Sequence, residues 1–355
     1  MTVQSTKESS FKYWQVAIIV AMGPIAYTRL IIYAHAALLQ STIRWILGKT
    51  PKGVSLLSSC AIGLLRLCMG VRFVSIHQGR NMLTLCNFVV ALRYGVATEK
   101  RRAQWAHPVA APGWKGYWIP YREAKVQGPI RKAGVEDIGS HCDIVMFFIH
   151  GGGMVMGDAR MWLPNCMAWI KLLREKYNIK IGILSVEYTG DSAGATLCLT
   201  TALKVRDNHP GVPLPAGQIL YSPWVMCHQP MKDEENDYIT TEGGMAFSDA
   251  YTQGIANVRT NPYASPISAP SVAGLPKTLI YIGGAESLRP SIERFVKKAE
   301  ADGVDVTVEL KEGQAHDYAL IEEISSRKIL DEADLVMAKF VAKIRADYIS
   351  SVNST

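Results

Sequence analysis

One pentapeptide constrains this chain more than any other stretch: Gly190-Asp191-Ser192-Ala193-Gly194. It reads G-x-S-x-G, with an apolar, β-rich run at 181–188 before it and apolar residues at helical spacing over 195–203 behind it. Strand, tight turn and helix in that order predict a serine held clear at the strand's C-terminal end. The glycines allow the backbone to turn sharply enough to hold it there. Alone, the pentapeptide is equally compatible with a small polar turn that does no chemistry.

A second motif changes that balance. His150-Gly151-Gly152-Gly153 follows a strong strand pattern at 143–149. Glycines suit a loop whose backbone N–H groups must face a developing oxyanion with no side chain in the way. With both motifs in this order, the chain resembles the hormone-sensitive-lipase family of α/β-hydrolases, including its arylacetamide-deacetylase and fungal steryl-acetate-deacetylase branches. The resemblance runs over about residues 114–341. Its weaker supports are Trp114-Lys115-Gly116-Tyr117-Trp118-Ile119, Tyr221-Ser222-Pro223-Trp224-Val225 and Asn261-Pro262-Tyr263-Ala264-Ser265-Pro266. It implies an α/β-hydrolase fold: a doubly wound, mostly parallel sheet with an N-terminal helical cap.

A serine hydroxyl needs a base, and the base needs an acid to orient it. The resemblance implies the chain order serine, acid, histidine. Glu286 ends the strand pattern 277–282 where the family places its acid, often as Asp and in some branches as Glu. His316 is the one histidine after Ser192 that also follows the last strand pattern, 305–311. Asp317 and Asp302 are alternative acids. Gly152, Gly153 and Ala193 are expected to supply the oxyanion-hole N–H groups, with His150, Gly151, Gly190, Asp191 and Gly194 supporting the two motifs. Tyr221 and Trp224 are candidates to line the pocket. The implied activity is a serine carboxylester hydrolase cleaving short-acyl esters of a hydrophobic alcohol or xenobiotic through an acyl-enzyme. No cofactor is expected. The histidines and the seven cysteines show no metal-ligand spacing, so no metal and no structural disulfide are expected either.

The net charge of +7 conceals an asymmetry. Residues 1–133 hold 18 Lys and Arg against 3 Asp and Glu, and residues 134–355 hold 20 against 28. A basic third beside a greasy segment suits an anionic lipid surface, and no nucleic-acid motif accompanies it. Residues 13–39 form the longest apolar stretch, long enough to span a bilayer, although Pro24, Arg29 and His35 interrupt it. The expected organisation is an N-terminal hydrophobic membrane anchor over 1–48, a helical cap and linker region over 49–106, and a catalytic domain over 107–348. The anchor is expected to be retained, spanning or lying in the interface. The resemblance implies the endoplasmic reticulum as its membrane. Within the second region, helices are expected around 56–68 and 83–92, and 106–113 reads as a linker.

Strands are expected at 114–119, 143–149, 180–188, 217–222, 277–282 and 305–311. Helices are expected at about 160–177, 193–207, 290–302 and 328–346. The acidic cluster 232–237 and the stretch to 261 interrupt this alternation and are expected to complete the cap.

One departure stands out. In the resembled family, the strand ending in Glu-Tyr leads into a helix and another strand before the elbow; here Thr189 alone separates Tyr188 from Gly190. A crossover needs about a dozen residues, so one central strand and one helix are absent. Either 181–188 moves into the central slot, or the working protein has a segment that this chain lacks. Beside the esterase reading stand two others: a non-catalytic ligand-binding protein on the same fold, and an inactive truncated product.

Overall fold

The computed structural model describes residues 23–52, 54–69, 99–111, 114–121, 141–154, 157–186, 191–229, 231–253, 255 and 257–353. Its helices are α1 (Gly23–Ile46), α2 (Leu56–Met69), the short α3 (Glu99–Arg102), α4 (Leu163–Tyr177), α5 (Ala193–Asn208), α6 (Thr241–Tyr251), α7 (Arg289–Ala301) and α8 (Arg327–Asn353). The strands are β1 (His107–Ala111), β2 (Trp114–Ile119), β3 (Ile144–Ile149), β4 (Ile181–Val186), β5 (Gly217–Tyr221), β6 (Lys277–Gly283) and β7 (Val306–Lys311). Every strand and helix expected from residue 114 onward is present. The stretch 106–113, read as a linker, instead supplies β1, which pairs antiparallel with β2. The helix expected around 83–92 lies outside the described residues.

Among the described residues the strands form two sheets, ordered β1-β2-β4-β3 and β5-β6-β7. The β3–β4, β5–β6 and β6–β7 pairs are parallel, as alternating strands and helices require. β4 lies between β2 and β3, so residues 181–186 have not moved into a central slot. Between β3 and β5 no described strand intervenes. A single parallel bridge, Asp191 to Tyr221, is all that pairs with the β5 side of that gap.

Side chains alternate across the strands and fill two cores. Leu220, Ile280 and Ile282 face α5 and α7, packing with Leu199, Leu203, Ile292 and Phe295. Tyr221, Leu279 and Tyr281 face the other way, toward Trp169 and Leu173 of α4 and Met337 and Val341 of α8. A line of rings runs through the second core. Phe148 of β3 meets Trp169 edge-on at 5.6 Å, Trp169 stacks on Tyr221 at 6.0 Å, and Tyr221 stacks on Tyr281 at 4.6 Å. Tyr221 and Trp224, expected at the pocket, are thus both core residues, 4% and 5% exposed.

The apolar stretch 13–39 enters α1, and its part up to residue 22 lies outside the described residues. Among the described residues no helix is long and apolar enough to cross a membrane. α1 packs along α2 through small side chains: Thr42 lies 3.9 Å from Cys60 Sγ, and Ser59 Oγ donates to the Ser41 carbonyl.

Candidate active site

Ser192 sits where the short bridge beside β5 gives way to α5. Its φ of 53° and ψ of −114° are unusual for a residue with a side chain. Such strain persists only where the surroundings enforce it. Here the Ser192 N–H donates to the Tyr221 carbonyl at 2.9 Å, and its own carbonyl accepts from Trp224 N at 3.0 Å. An N-terminal serine commonly caps its helix with its hydroxyl. Ser192 does not, which leaves Oγ uncommitted at the N-terminus of α5.

Asp191 ties this elbow to the glycine loop after β3. Its Oδ1 accepts from Gly151 N at 2.7 Å and from Trp162 Nε1 at 2.8 Å. Gly151 has no room for a side chain, because a Cβ there would lie 2.1 Å from Asp191 Oδ2. Gly153, at φ 62°, faces the ring of Phe247 on α6, where a Cβ would come within 2.7 Å. His150 is buried, with Nδ1 2.8 Å from the Gly151 carbonyl. Outside the helices, no described backbone carbonyl takes the N–H of Gly152, Gly153 or Ala193, the three groups expected at the oxyanion. Gly190 lies outside the described residues, while Gly194 is in the first turn of α5 and donates to the Asp191 carbonyl.

Glu286 and His316 come together on the loops after β6 and β7. His316 Nδ1 is 3.0 Å from Glu286 Oε2, and both side chains are buried. Burial pushes the Glu286 carboxyl up to about 8, with the Ser222 hydroxyl, the Gly283 backbone and Arg289 pulling the other way. Burial likewise lowers His316, against the raising influence of Asp237 and Asp191. Asp302, the distal alternative acid, instead accepts from Val272 N and faces Lys298, well away from this pair in the contacts it makes.

The other ring nitrogen is also taken. His316 Nε2 lies 3.2 Å from Asp317 Oδ2, and no hydrogen bond joins Ser192 to His316 among the described residues. Burial, then the neighbouring carboxylates of Asp191 and Glu286, push Asp317 well above the usual carboxylate range. That favours its protonated form, which can donate to Nε2. Of the three residues expected to act together, Glu286 and His316 are joined, and Asp317 stands at the imidazole nitrogen expected to serve Ser192. Asp317 was weighed as an acid for the imidazole; its contact is with the opposite nitrogen from that of Glu286.

Two residues were not anticipated from sequence. Asp237, wholly buried, accepts from His316 N, Tyr238 N and Ser287 N. Tyr238 sets its ring edge-on to the imidazole at 5.7 Å. The only sequence signal was that both fall at the end of an acidic cluster interrupting the strand–helix alternation. Among the described residues no group of His, Cys, Asp or Glu side chains is arranged to hold a metal ion. Five cysteines (Cys60, Cys142, Cys166, Cys198 and Cys227) carry no disulfide.

A family model described as the alpha/beta hydrolase fold matches residues 163–320, from α4 to just past His316. Over 140 residues the chain is 28% identical to a triacylglycerol lipase of Mycobacterium tuberculosis (strain ATCC 25618 / H37Rv), covering 39% of this chain and 28% of that protein. Over 138 residues it is 29% identical to an esterase of Acinetobacter venetianus (strain RAG-1), covering 37% of this chain and 44% of that protein. The chain thus spans less than half the length of these curated relatives. A solved esterase of the bacterial hormone-sensitive lipase family superposes with a TM-score of 0.57 at 20% identity, covering 82% of this chain and 98% of that one. The gap between β3 and β5 notwithstanding, the fold of this chain is that of the α/β hydrolases.

Proposed function

We propose that this chain is a carboxylic ester hydrolase that works through an acyl-enzyme on Ser192. The observation that carries the reading is the strained, uncapped Ser192 at the N-terminus of α5, with the glycine loop hydrogen-bonded to the adjoining Asp191 and a buried Glu286–His316 pair on the loops after β6 and β7. Ser192 Oγ attacks the ester carbonyl as Nε2 of His316 takes its proton, and Glu286 holds the Nδ1–H tautomer. The N–H groups of Gly152, Gly153 and Ala193 receive the oxyanion. His316 then protonates the leaving alcohol, and water releases the acid. Asp317 must first yield Nε2.

The substrate class proposed is a short-acyl ester of a hydrophobic alcohol or xenobiotic; the likeness to a lipase and an esterase supports the ester, and Phe247 beside the glycine loop supports an apolar group. A lipid surface is the proposed partner. Ile32, Leu39, Ile43, Ile46 and Leu47 form an exposed apolar stripe along α1, and Arg44 and Lys49 stand beside it. Hydrolysis of p-nitrophenyl acetate by the purified chain, lost in Ser192→Ala, is the test. Turnover that survives this substitution would sink the reading. A folded chain without turnover would favour the ligand-binding alternative.

A further inference from the structure

We propose that Asp237 is a positioning residue that locks the acid and base loops together, and that Arg66 straps it in place from the N-terminal helices. The inference rests on the assignment of Glu286 and His316 as acid and base.

Asp237 comes from neither of the loops it joins. It lies between β5 and α6, yet its carboxylate accepts from His316 N at 3.0 Å and from Ser287 N at 2.7 Å, with Tyr238 N at 2.9 Å as the third donor. Ser287 adjoins Glu286. One carboxylate therefore binds the backbone of the base on the β7 loop and the backbone beside the acid on the β6 loop. Ser287 Oγ adds a second tie, donating to the Ile239 carbonyl at 2.9 Å. A buried carboxylate needs such donors to stay ionised, because nothing else offsets its lost hydration. The groups facing His316 are Glu286, Asp317, Asp191, Asp237 and the ring of Tyr238.

The strap comes from the opposite end of the chain. Arg66 on α2 donates through Nη1 to the carbonyls of Asp237, at 2.6 Å, and Glu234, and its Nη2 lies 3.6 Å from Asp233. Arg44 on α1 pairs with Glu235 and donates to Asn236 Oδ1 at 3.3 Å. The acidic cluster is thus the seat of two arginines rather than a merely solvated face. Loop histidines need such support, since a 1 Å misplacement of a catalytic group costs about 10²-fold in rate.

The experiment uses the full-length chain with Asp237→Asn and Arg66→Ala, read in two ways. In p-nitrophenyl acetate hydrolysis, Asp237→Asn is expected to lower kcat about 10²-fold with KM nearly unchanged. The acidic limb of its kcat/KM profile should move to lower pH, because a negative charge opposing ionisation of Glu286 and favouring the imidazolium is gone. Arg66→Ala, at a partly exposed side chain, is expected to lower kcat by about tenfold with the limb unmoved, as its effect on rate is indirect. Independently of turnover, NMR titration of His316 Cε1–H should show a lower pKa in Asp237→Asn than in the parent. An unchanged titration with kcat falling only in step with the folded fraction would overturn the proposal. A parent chain without Ser192-dependent turnover would sink the esterase reading, and the His316 titration would still decide the role of Asp237.

Discussion

In the sheet that carries the acid and the base, the central strand β6 buries six of its seven residues; in the other sheet, the last strand, β3, buries two of six. Parallel strands are usually covered on both faces. β6 is: α5 and α7 lie on one side, α4 and α8 on the other. β3 is covered along the side of α4, but on its opposite face only Ile149, at the end that meets α5, is buried, and Val145 and Phe147 are 44% and 54% exposed. The difference shows how unequally the candidate site residues are supported among the described strands. Glu286 and His316 are positioned by β6 and β7, whose ladder is intact, while Ser192 stands at the margin with a single bridge behind it.

The strongest challenge to this contrast is chemical. Ser192→Ala and His316→Ala should each reduce ester hydrolysis by at least about 10³-fold while leaving the melting temperature nearly unchanged, as measured by turnover and thermal denaturation. Unfolding of Ser192→Ala would mean that the marginal position of Ser192 is structural after all. Next comes packing. Leu279→Ala, at a fully buried position of β6, should cost about 2–5 kcal/mol in urea unfolding. Phe147→Ser on β3 should stay within about 0.5 kcal/mol, the range of ordinary surface changes. Equal costs would show that β3 is covered in solution.

Asp317 provides a gentler test. At φ 53°, glycine fits its backbone. Asp317→Gly frees His316 Nε2 and is expected to raise kcat by about tenfold, as for one general-base contact of partial effect; a fall in kcat would make Asp317 part of the working site.

The smallest effects are those of pH. Activity should climb as pH rises through about 8, where buried Glu286 becomes the carboxylate that the imidazolium needs. Stability should move the other way. The folded chain holds the Glu286 proton up to about 8, whereas the unfolded chain releases it near about 4.3. The folded state therefore binds more protons across that window, and stability falls with rising pH. His316, lowered on folding, opposes this only up to about 6.5. Glu286→Gln should flatten both dependences.

Much of this arrangement was legible in the chain. Ser192 and the glycine loop stand out because turn chemistry is a local property of sequence, whereas the family resemblance together with the strand pattern singles out Glu286 and His316, and the fold adds that they meet. Thr189 leaves no length for a crossover before Gly190, and among the described residues no strand lies between β3 and β5. Asp237 was not, because its three donors come from three places in the chain and nothing in the acidic run tells a buried carboxylate from solvated ones. The displacement of Ser192 by Asp317 depends on side-chain packing at one φ-positive residue, which no periodicity encodes. Tyr221 and Trp224 were ambiguous for a simpler reason: an aromatic after a strand serves a core and a pocket equally well.

The line of rings from Phe148 through Trp169 and Tyr221 to Tyr281 has a mechanical consequence. It is a side-chain joint between β3 and β5, where a ladder would otherwise run. A ladder indexes two strands residue by residue, because each N–H must find its own carbonyl. Stacked rings fix a spacing but tolerate sliding and tilting, since dispersion is nearly indifferent to small lateral offsets. The rings therefore set the spacing of the two sides, and alignment is left to directional bonds between single side chains, those from Gly151 N to Asp191 Oδ1 and from Trp169 Nε1 to Asp334 Oδ1 among them.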